Sequence, residues 1–435
     1  MRDEYNAELA VIGSMLLDPD CAAAMLDKLA VEDFENIYAR EVLTVMKRLA
    51  EEGRPLDAVL TVEEIGDQTV RQWMLRAMEV VVTTANADEY AKIVKRNAKL
   101  RKLHAIGDNL AMSGLDYRAE AIKSIEDIEN IVEDTTSADA VGAGEWANEF
   151  MEQQERIIAD PTSAFCRTGY TDIDRVLGGG MFNGGLYVLA ARPGMGKTTF
   201  ALNIAEKVAK RNDAVLMVSL EMDGREIMCK RIAAEQDIPY KALMSGYVDD
   251  VSAARMRKCV ERIKDRPFSV NRAAAMTITD ITVLAKSIKG LRLVVIDYFG
   301  LIAVEGQEHD RYNDYTTISG KLKRMARRLD VPVLCLAQLN RNTESRTNKK
   351  PQLADLRDTG ALEQDADGVI FLHRQSYYSE DERPETEGID VIIAKNRHGE
   401  TGTTTLWWNG AFGQIAEMYR GPDTTPDNYF GLEEL

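Results

Sequence analysis

Residues 186–199 read Leu-Tyr-Val-Leu-Ala-Ala-Arg-Pro-Gly-Met-Gly-Lys-Thr-Thr. The apolar run Tyr187–Ala190 has the composition of a buried strand, and it enters a tight loop that ends Gly196-Lys197-Thr198. Behind the loop, Phe200, Ala201, Ile204, Ala205 and Val208 recur at helical spacing. Strand, glycine-bearing loop and helix, in that order, are what a P-loop for a nucleoside triphosphate requires. Loop N–H groups and the helix N-terminus meet the phosphates, and Lys197 adds a cation. Thr198 supplies a hydroxyl for Mg²⁺. The expected nucleotide contacts are therefore Arg192, Pro193, Gly194, Met195, Gly196, Lys197, Thr198 and Thr199. The first glycine of the pattern G-x-x-x-x-G-K-[ST] is Ala191 here. Alanine does not reach positive φ cheaply, so the reading needs ordinary backbone at that position.

From Gly169 onward the chain alternates strand and helix patterns. Strand-like runs occur at Leu186–Ala190, Ala214–Ser219, Leu291–Ile296, Val331–Ala337, Gly368–Leu372 and Ile389–Ala394. They are continuous apolar runs, the signature of strands buried on both faces of a parallel sheet. Thr403–Trp408 and Gln414–Met418 read as a closing hairpin. The first hundred residues instead read as short amphipathic helices, with Leu9, Ile12 and Leu16 on one face and Val42, Met46 and Leu49 on another. Gly53-Arg54-Pro55 marks a turn, and a longer helix is expected from about Asp88 to Leu110. Ile122, Ile125, Ile128 and Val132 indicate one more helix. Thr135–Gly144, small and polar, is the linker candidate. A helix over Glu145–Ala159 follows, anchored by Trp146, Phe150 and Ile157 and stopped by Pro161.

A chain of 435 residues has room for two domains. At 45% apolar and 29% charged residues it is an ordinary globular mixture. No apolar run reaches the ~18 residues of a membrane span, and Met1-Arg2-Asp3-Glu4 does not begin a signal peptide, so a cytoplasmic protein without a membrane partner is expected. The five cysteines never pair as C-x-x-C and the four histidines are dispersed, so reduced thiols and no zinc site are expected. A net charge of −17 argues against a protein that coats nucleic acid indiscriminately. Lys321 to Lys350 nevertheless carries nine Lys/Arg against Asp330 and Glu344, a local +7. Lys321, Arg324 and Arg328 share one helix side there, and the stripe as a whole suits a polyanion held in one place.

Four further positions carry chemistry. Leu293-Val294-Val295-Ile296-Asp297 ends an apolar strand in an acid, which beside the P-loop strand can hold Mg²⁺ through its water shell. Glu221, closing the strand after the P-loop helix, is placed to orient and deprotonate a water attacking the γ-phosphate. Gln338 closes another strand with an uncharged group able to touch a γ-phosphate and report it to the next loop. Lys395 and Arg397, on a turn after a strand, can stabilise charge on a transferring phosphoryl group if they reach across a subunit boundary.

Taken together, these motifs resemble the DnaB-type hexameric replicative DNA helicases, whose motor belongs to the RecA-like ATPase superfamily. The matching strings are Ala191-Arg192-Pro193-Gly194-Met195-Gly196-Lys197-Thr198, Ser219-Leu220-Glu221-Met222, Ile296-Asp297-Tyr298, Gln338-Leu339-Asn340-Arg341, and Asp355-Leu356-Arg357-Asp358-Thr359-Gly360 through Glu363-Gln364-Asp365-Ala366-Asp367. Order and spacing agree from about Gly169 to Arg397, and Glu8–Leu17, Phe34 and Gly53–Asp57 are similar in the helical part. The fold implied is α/β: a RecA-like P-loop ATPase domain with a mainly parallel sheet over residues 166–435. A smaller all-α N-terminal domain over 1–115 precedes it, with a linker region and its linker helix over 116–165. The activity implied is ATP-dependent unwinding at the replication fork by a homohexameric ring that translocates 5′→3′ on single-stranded DNA. The resemblance assigns Lys197 and Thr198 to ATP and Mg²⁺, Glu221 to water activation, Asp297 to the metal and Gln338 to γ-phosphate sensing. Lys395 and Arg397 are assigned to the neighbouring subunit's ATP, and Arg357, Asp358 and Gly360 to the DNA backbone in the central channel. A primase and a helicase loader are the partners implied for the N-terminal domain, and a phage or plasmid replicon suits the chain as readily as a chromosome. The acids Glu305, Glu308 and Asp310 leave residues 305–313 unassigned. A RecA-like recombinase filament and a nucleotide-gated loader or scaffold are the competing readings, told apart by six-fold rings and by DNA-stimulated hydrolysis.

Overall fold

The structure, a computed structural model, describes residues 2–112, 114, 120–121, 124–125, 127–128, 131, 142–303, 311–340, 346, 349–378 and 386–418. Within these, the side chains of 2–5, 145, 161–162, 311–314 and 357–359 are not described. The chain forms two compact units, Met1–Ala140 and Val141–Leu435.

In the first unit every described element is helical: α1 (Arg2–Leu17), α2 (Pro19–Lys28), α3 (Ile37–Glu51), α4 (Ala58–Glu64), α5 (Gln68–Val80) and α6 (Ala87–Met112), with short 3₁₀ turns. The two stripes read from periodicity are both buried, Leu9, Ile12 and Leu16 in one core with Val42 and Met46, and Leu49 buried as well. α3 starts where it does because Asn36 accepts hydrogen bonds from the N–H groups of Tyr38 and Ala39. Just before it, the buried Glu8 carboxylate accepts from the N–H groups of Glu35 and Asn36 at 2.7 and 3.0 Å. Ile125 and Ile128 lie in helical backbone; Ile122, Val132 and residues 135–141 of the expected linker fall outside the described residues.

The second unit opens with helix α7 (Ala143–Ala159), which leaves Trp146, Phe150, Met151 and Ile158 exposed. The core is a nine-stranded sheet. Its strands are β3 (Leu186–Ala191), β4 (Ala214–Ser219), β5 (Phe268–Val270), β6 (Leu291–Asp297), β7 (Val333–Gln338), β8 (Gly368–His373), β9 (Thr386–Asn396), β10 (Gly402–Asn409) and β11 (Gln414–Glu417). A separate two-stranded ribbon pairs β1 (Phe165–Cys166) with β2 (Met181–Phe182). The order is β11-β10-β9-β8-β3-β7-β6-β4-β5, parallel from β8 to β5 and antiparallel from β8 outward through β11. All six expected strands and the hairpin are present; β5 is three residues long and gave no apolar run to read. One expectation is corrected: β6, which carries Asp297, does not lie beside β3, because β7 is inserted between them.

Strand alternation sorts β3 into two layers. Tyr187, Leu189 and Ala191 pack with Phe200, Ile204 and Val208 of helix α9 (Lys197–Lys210). Leu186, Val188 and Ala190 pack with Leu322, Met325 and Ala326 of helix α14 (Arg311–Leu329) on the other face. Helix α8 (Thr171–Val176) precedes β2; α10 (Gly224–Gln236), α11 (Tyr240–Ser245), α12 (Asp250–Ile263) and α13 (Ile278–Lys286) lie between α9 and α14 in the chain, and α15 (Gly360–Asp365) precedes β8. Burial on both faces explains why the parallel strands are apolar throughout. The register pairs Ala191 with Gln338 and Ser219 with Asp297, so the carboxyl ends of β3, β7, β6 and β4 share one edge. That edge is where ligands bind in open α/β sheets.

Candidate active site

At this edge β3 ends on Ala191, paired with Gln338. Positive φ falls later, at Gly194 (77°) and Gly196 (97°), so alanine at the first pattern position costs nothing. Gly196 is the N-cap of α9 and offers no side-chain acceptor, so the helix N-terminus is left open to an anion. Lys197 opens the helix with its Nζ 3.8 Å from Asp297 Oδ1 and 4.7 Å from the centre of the Tyr298 ring. Thr198 Oγ1 donates to Asp297 Oδ2 at 2.6 Å. Although β7 intervenes, α9 carries Lys197 and Thr198 back over the sheet to Asp297.

Asp297 is fully buried, and its Oδ1 has no hydrogen-bond partner. Burial pushes its carboxyl above the usual aspartate range; Lys197 and the Thr198 hydroxyl oppose that push, and Glu221 reinforces it. Burial likewise pulls Lys197 below the usual lysine range, against the pull of Asp297 and Glu221. A desolvated carboxylate with one orphaned oxygen beside a threonine hydroxyl is a hard-oxygen donor pair. It fits Mg²⁺, which takes one or two protein oxygens and completes its shell with phosphate and water. Among the described residues no cluster of three or more His, Cys, Asp or Glu forms a fuller metal cage.

A cleft of about 400 Å³ opens over these groups, within the range of small-molecule sites. It is lined by Ala191, Arg192, Pro193, Gly194, Gly196, Lys197, Thr198 and Thr199, with Glu221 and Gln338 facing them. Met195 departs from the expected contact set: its side chain is buried in the core beneath the loop, leaving only its backbone to the site. Sequence reading missed the far wall, made by Lys230, Tyr240, Trp408, Gly410, Phe412 and Gly413. The β10–β11 turn is locked in place by the Gly413 carbonyl, which accepts from Asn203 Nδ2 at 2.9 Å, and the Ala411 carbonyl, which accepts from Tyr240 N–H at 3.0 Å. The visible signal was Trp-Asn-Gly-Ala-Phe-Gly at 408–413, aromatic residues and glycines together in a turn.

Lys395 and Arg397 are not brought to this cleft. Lys395 lies inside β9 rather than after it, because the strand extends to Asn396; only Arg397 is on the turn. Asn396 pairs with Gly368, and Gly368 with Tyr187, at the start of β3. Four strand residues, ~13 Å, separate that level from Ala191 before the loop begins. Lys395 donates to the carbonyls of Glu363 and Gln364, and Arg397 Nη2 to that of Gln364 at 2.6 Å. Of the DNA-assigned residues, Gly360 opens α15 with nothing within 4 Å of a hypothetical Cβ, while the side chains of Arg357 and Asp358 are outside the description. Their segment is tied to the Gln338 strand by Asn340 N–H, which donates to the Asp355 carbonyl at 3.2 Å. The basic stripe is less free than its charge count implied. Lys323 pairs with Asp367, Arg346 with Asp355 and Lys350 with Asp390, acids that lie outside the stripe in sequence. Residues 305–310 of the acidic loop 305–313 are outside the described residues.

Residues 166–417 match the model of the DnaB-like helicase C terminal domain, and residues 1–96 that of the DnaB-like helicase N terminal domain. The chain belongs to the DnaB-like replicative DNA helicases. It is 31% identical to the replicative DNA helicase DnaB of Geobacillus stearothermophilus, over 95% of this chain and 94% of that one. It is 30% identical to the replicative DNA helicase DnaC of Bacillus subtilis (strain 168), over 95% and 94%. A solved DnaB-like replicative helicase, described with its interactions with primase, superimposes with a TM-score of 0.73 at 27% identity, covering 95% of this chain and 100% of that one. With both its parts matching helicase domains, the chain is placed with the DnaB-like family rather than with recombinase filaments or loaders. Its RecA-like motor is the α/β unit described above.

Proposed function

We propose that this DnaB-like helicase works as a homohexameric ring that draws single-stranded DNA 5′→3′ through its centre and displaces the other strand of a forked duplex, powered by ATP with Mg²⁺. The observation that carries the reading is the shared edge of β3, β7, β6 and β4. There the P-loop, Glu221 and Gln338 line one cleft, and the buried Asp297, whose Oδ1 has no hydrogen-bond partner, sits directly behind Lys197 and Thr198.

In this reading the loop N–H groups and Lys197 bind the triphosphate, and Thr198 and Asp297 would hold Mg²⁺, which would supply neutralisation of the charge developing on the phosphates. Glu221 is the exposed carboxylate on the open side of the cleft; it orients a water and takes its proton as the water oxygen bonds to the γ-phosphorus and the bond to the β–γ bridging oxygen breaks. Gln338 senses the γ-phosphate. Lys395, in β9, and Arg397, on the turn after it, lie too far from the cleft of their own chain to reach it, which supports their acting on the ATP of an adjacent subunit. A finger supplied in trans ties hydrolysis to motion between subunits. Arg357, Asp358 and Gly360 grip the DNA backbone, a sequence-independent contact that suits a motor. The exposed apolar side of α7, within the proposed 116–165 linker, is the surface for an adjacent subunit, and the N-terminal helical unit is the platform for primase and loader. A cytoplasmic location follows from that role.

The test is strand displacement on a forked duplex bearing a 5′ tail. ATP-dependent unwinding by the wild type and none by Lys197→Ala is expected; unwinding that requires a 3′ tail, or that survives Lys197→Ala, overturns the proposal. Sizing the chain with and without a non-hydrolysable ATP analogue tests the ring.

A further inference from the structure

The phosphate loop is braced from behind by a residue that does not line the cleft. Arg374, the first residue after β8, is 5% exposed. Its Nη2 donates to the carbonyl of Gly194 at 2.8 Å, and its Nη1 donates to Glu387 Oε1 at 2.9 Å. The guanidinium lies 4.8 Å from the Trp408 ring and 5.7 Å from that of Tyr377. Those rings press on the two glycines that turn the loop. A Cβ at Gly194 would stand 3.1 Å from Tyr377, and one at Gly196 would stand 2.5 Å from Trp408.

We propose that Arg374 is a positioning residue for the nucleotide: it fixes the Gly194 turn of the phosphate loop, directly through the Gly194 carbonyl and indirectly through Tyr377 and Trp408. The Gly194–Met195 peptide is held at both polar atoms, since Met195 N–H donates to the Arg192 carbonyl at 3.2 Å. A planar peptide pinned at both ends cannot rotate, so the residues that follow it enter α9 in one geometry. The N–H groups of the first turn of α9 then point at the phosphate position without an ordering cost at the moment of binding. Glu387, from β9, accepts from Nη1 and offsets the cost of burying the guanidinium; a glutamine amide oxygen in its place still accepts that bond and keeps Arg374 in position, at a cost in stability. Only arginine's planar fork can satisfy a carboxylate and a carbonyl in different directions while lying against aromatic rings.

The inference rests on the nucleotide reading of the cleft, and its test separates the two. Affinity for a fluorescent ATP analogue with Mg²⁺ is measured on the full chain, alongside thermal unfolding without nucleotide. Arg374→Gln and Glu387→Gln both break the buried ion pair, so both lower the melting temperature. Only Arg374→Gln removes the donor to Gly194, so it alone is expected to weaken nucleotide binding tenfold or more, with Glu387→Gln staying within threefold of wild type. Arg374→Lys, which keeps the charge but not the fork, is expected to bind at least threefold more weakly, and it carries the test if the glutamine variant does not fold. Wild-type affinity in Arg374→Gln or Arg374→Lys overturns the inference. So does a loss in Glu387→Gln as large as that in Arg374→Gln, because a purely structural pair would behave that way. A wild-type chain that binds no nucleotide overturns the reading of the cleft itself.

Discussion

Replacing Gly196 by alanine adds one methyl group, and the structure places two separate penalties on it. The residue sits at φ 97° and ψ 21°, a left-handed conformation that costs an L-residue roughly 1–2 kcal/mol. The new Cβ would also lie 2.5 Å from the Cη2 and Cζ3 atoms of Trp408, where carbon atoms prefer about 3.5–4.0 Å. Trp408 has little freedom to retreat, being 7% exposed and held in β10 opposite Ile415 and Glu387. Overpacking of that kind costs about 1–3 kcal/mol, so Gly196→Ala is expected to destabilise the chain by roughly 2–5 kcal/mol in all. Trp408→Leu relieves the clash but not the backbone strain. In a double-mutant cycle read by urea unfolding, the pair should therefore be less than additive by about 1–3 kcal/mol, the clash alone. Gly224→Ala is the control: φ is not positive, nothing lies within 4 Å of the new Cβ, and the site opens helix α10. That substitution should be neutral or stabilising by up to about 1 kcal/mol. A cycle for Gly196 and Trp408 that is additive within about 0.5 kcal/mol would refute the contact and with it this picture of the loop's support.

Arg397→Ala should keep nucleotide affinity yet lose roughly 10³-fold or more in turnover, and mixing it with subunits whose P-loop is inactivated should partly restore hydrolysis in mixed rings; normal turnover in the variant alone removes the assignment in trans. Arg357→Ala should weaken single-stranded DNA binding and lower the slope of log affinity against log salt by about 0.7 for each phosphate no longer neutralised, so an unchanged slope would mean the gripping loop lies elsewhere. Glu235 accepts from Arg266 and pairs with Lys210, and mainly the Arg266 bonds hold its carboxyl at about 2 against an ordinary 4.5. A depressed carboxylate contributes stability that is present above the unfolded value and lost as pH falls through the folded one. The melting-temperature gap between wild type and Glu235→Gln should thus be full above about pH 4.5 and close toward pH 2; a gap that widens on acidification contradicts the pairing.

The motor was legible because its signals are local. Leu186–Ala191 and Leu291–Asp297 declare buried strands by apolar runs, and Gly196-Lys197-Thr198 declares a phosphate loop, since each pattern reflects a short stretch of backbone doing one thing. Amphipathic periodicity likewise exposed the N-terminal helices, where one face alone is buried. What folding decided is which local pieces meet. No spacing shows that β7 separates β6 from β3, because strand order depends on how helices cross the sheet. Nor does spacing show that the distant turn after Trp408 closes the cleft over Lys197, that Arg374 reaches back to Gly194, or that Lys323 is claimed by Asp367 instead of standing free. Short-range sequence sets the conformation of each segment through sterics and burial of one face. Partners across long separations are selected only when the whole core packs, because desolvated charges and rings must find whatever complementary groups the completed sheet brings within reach.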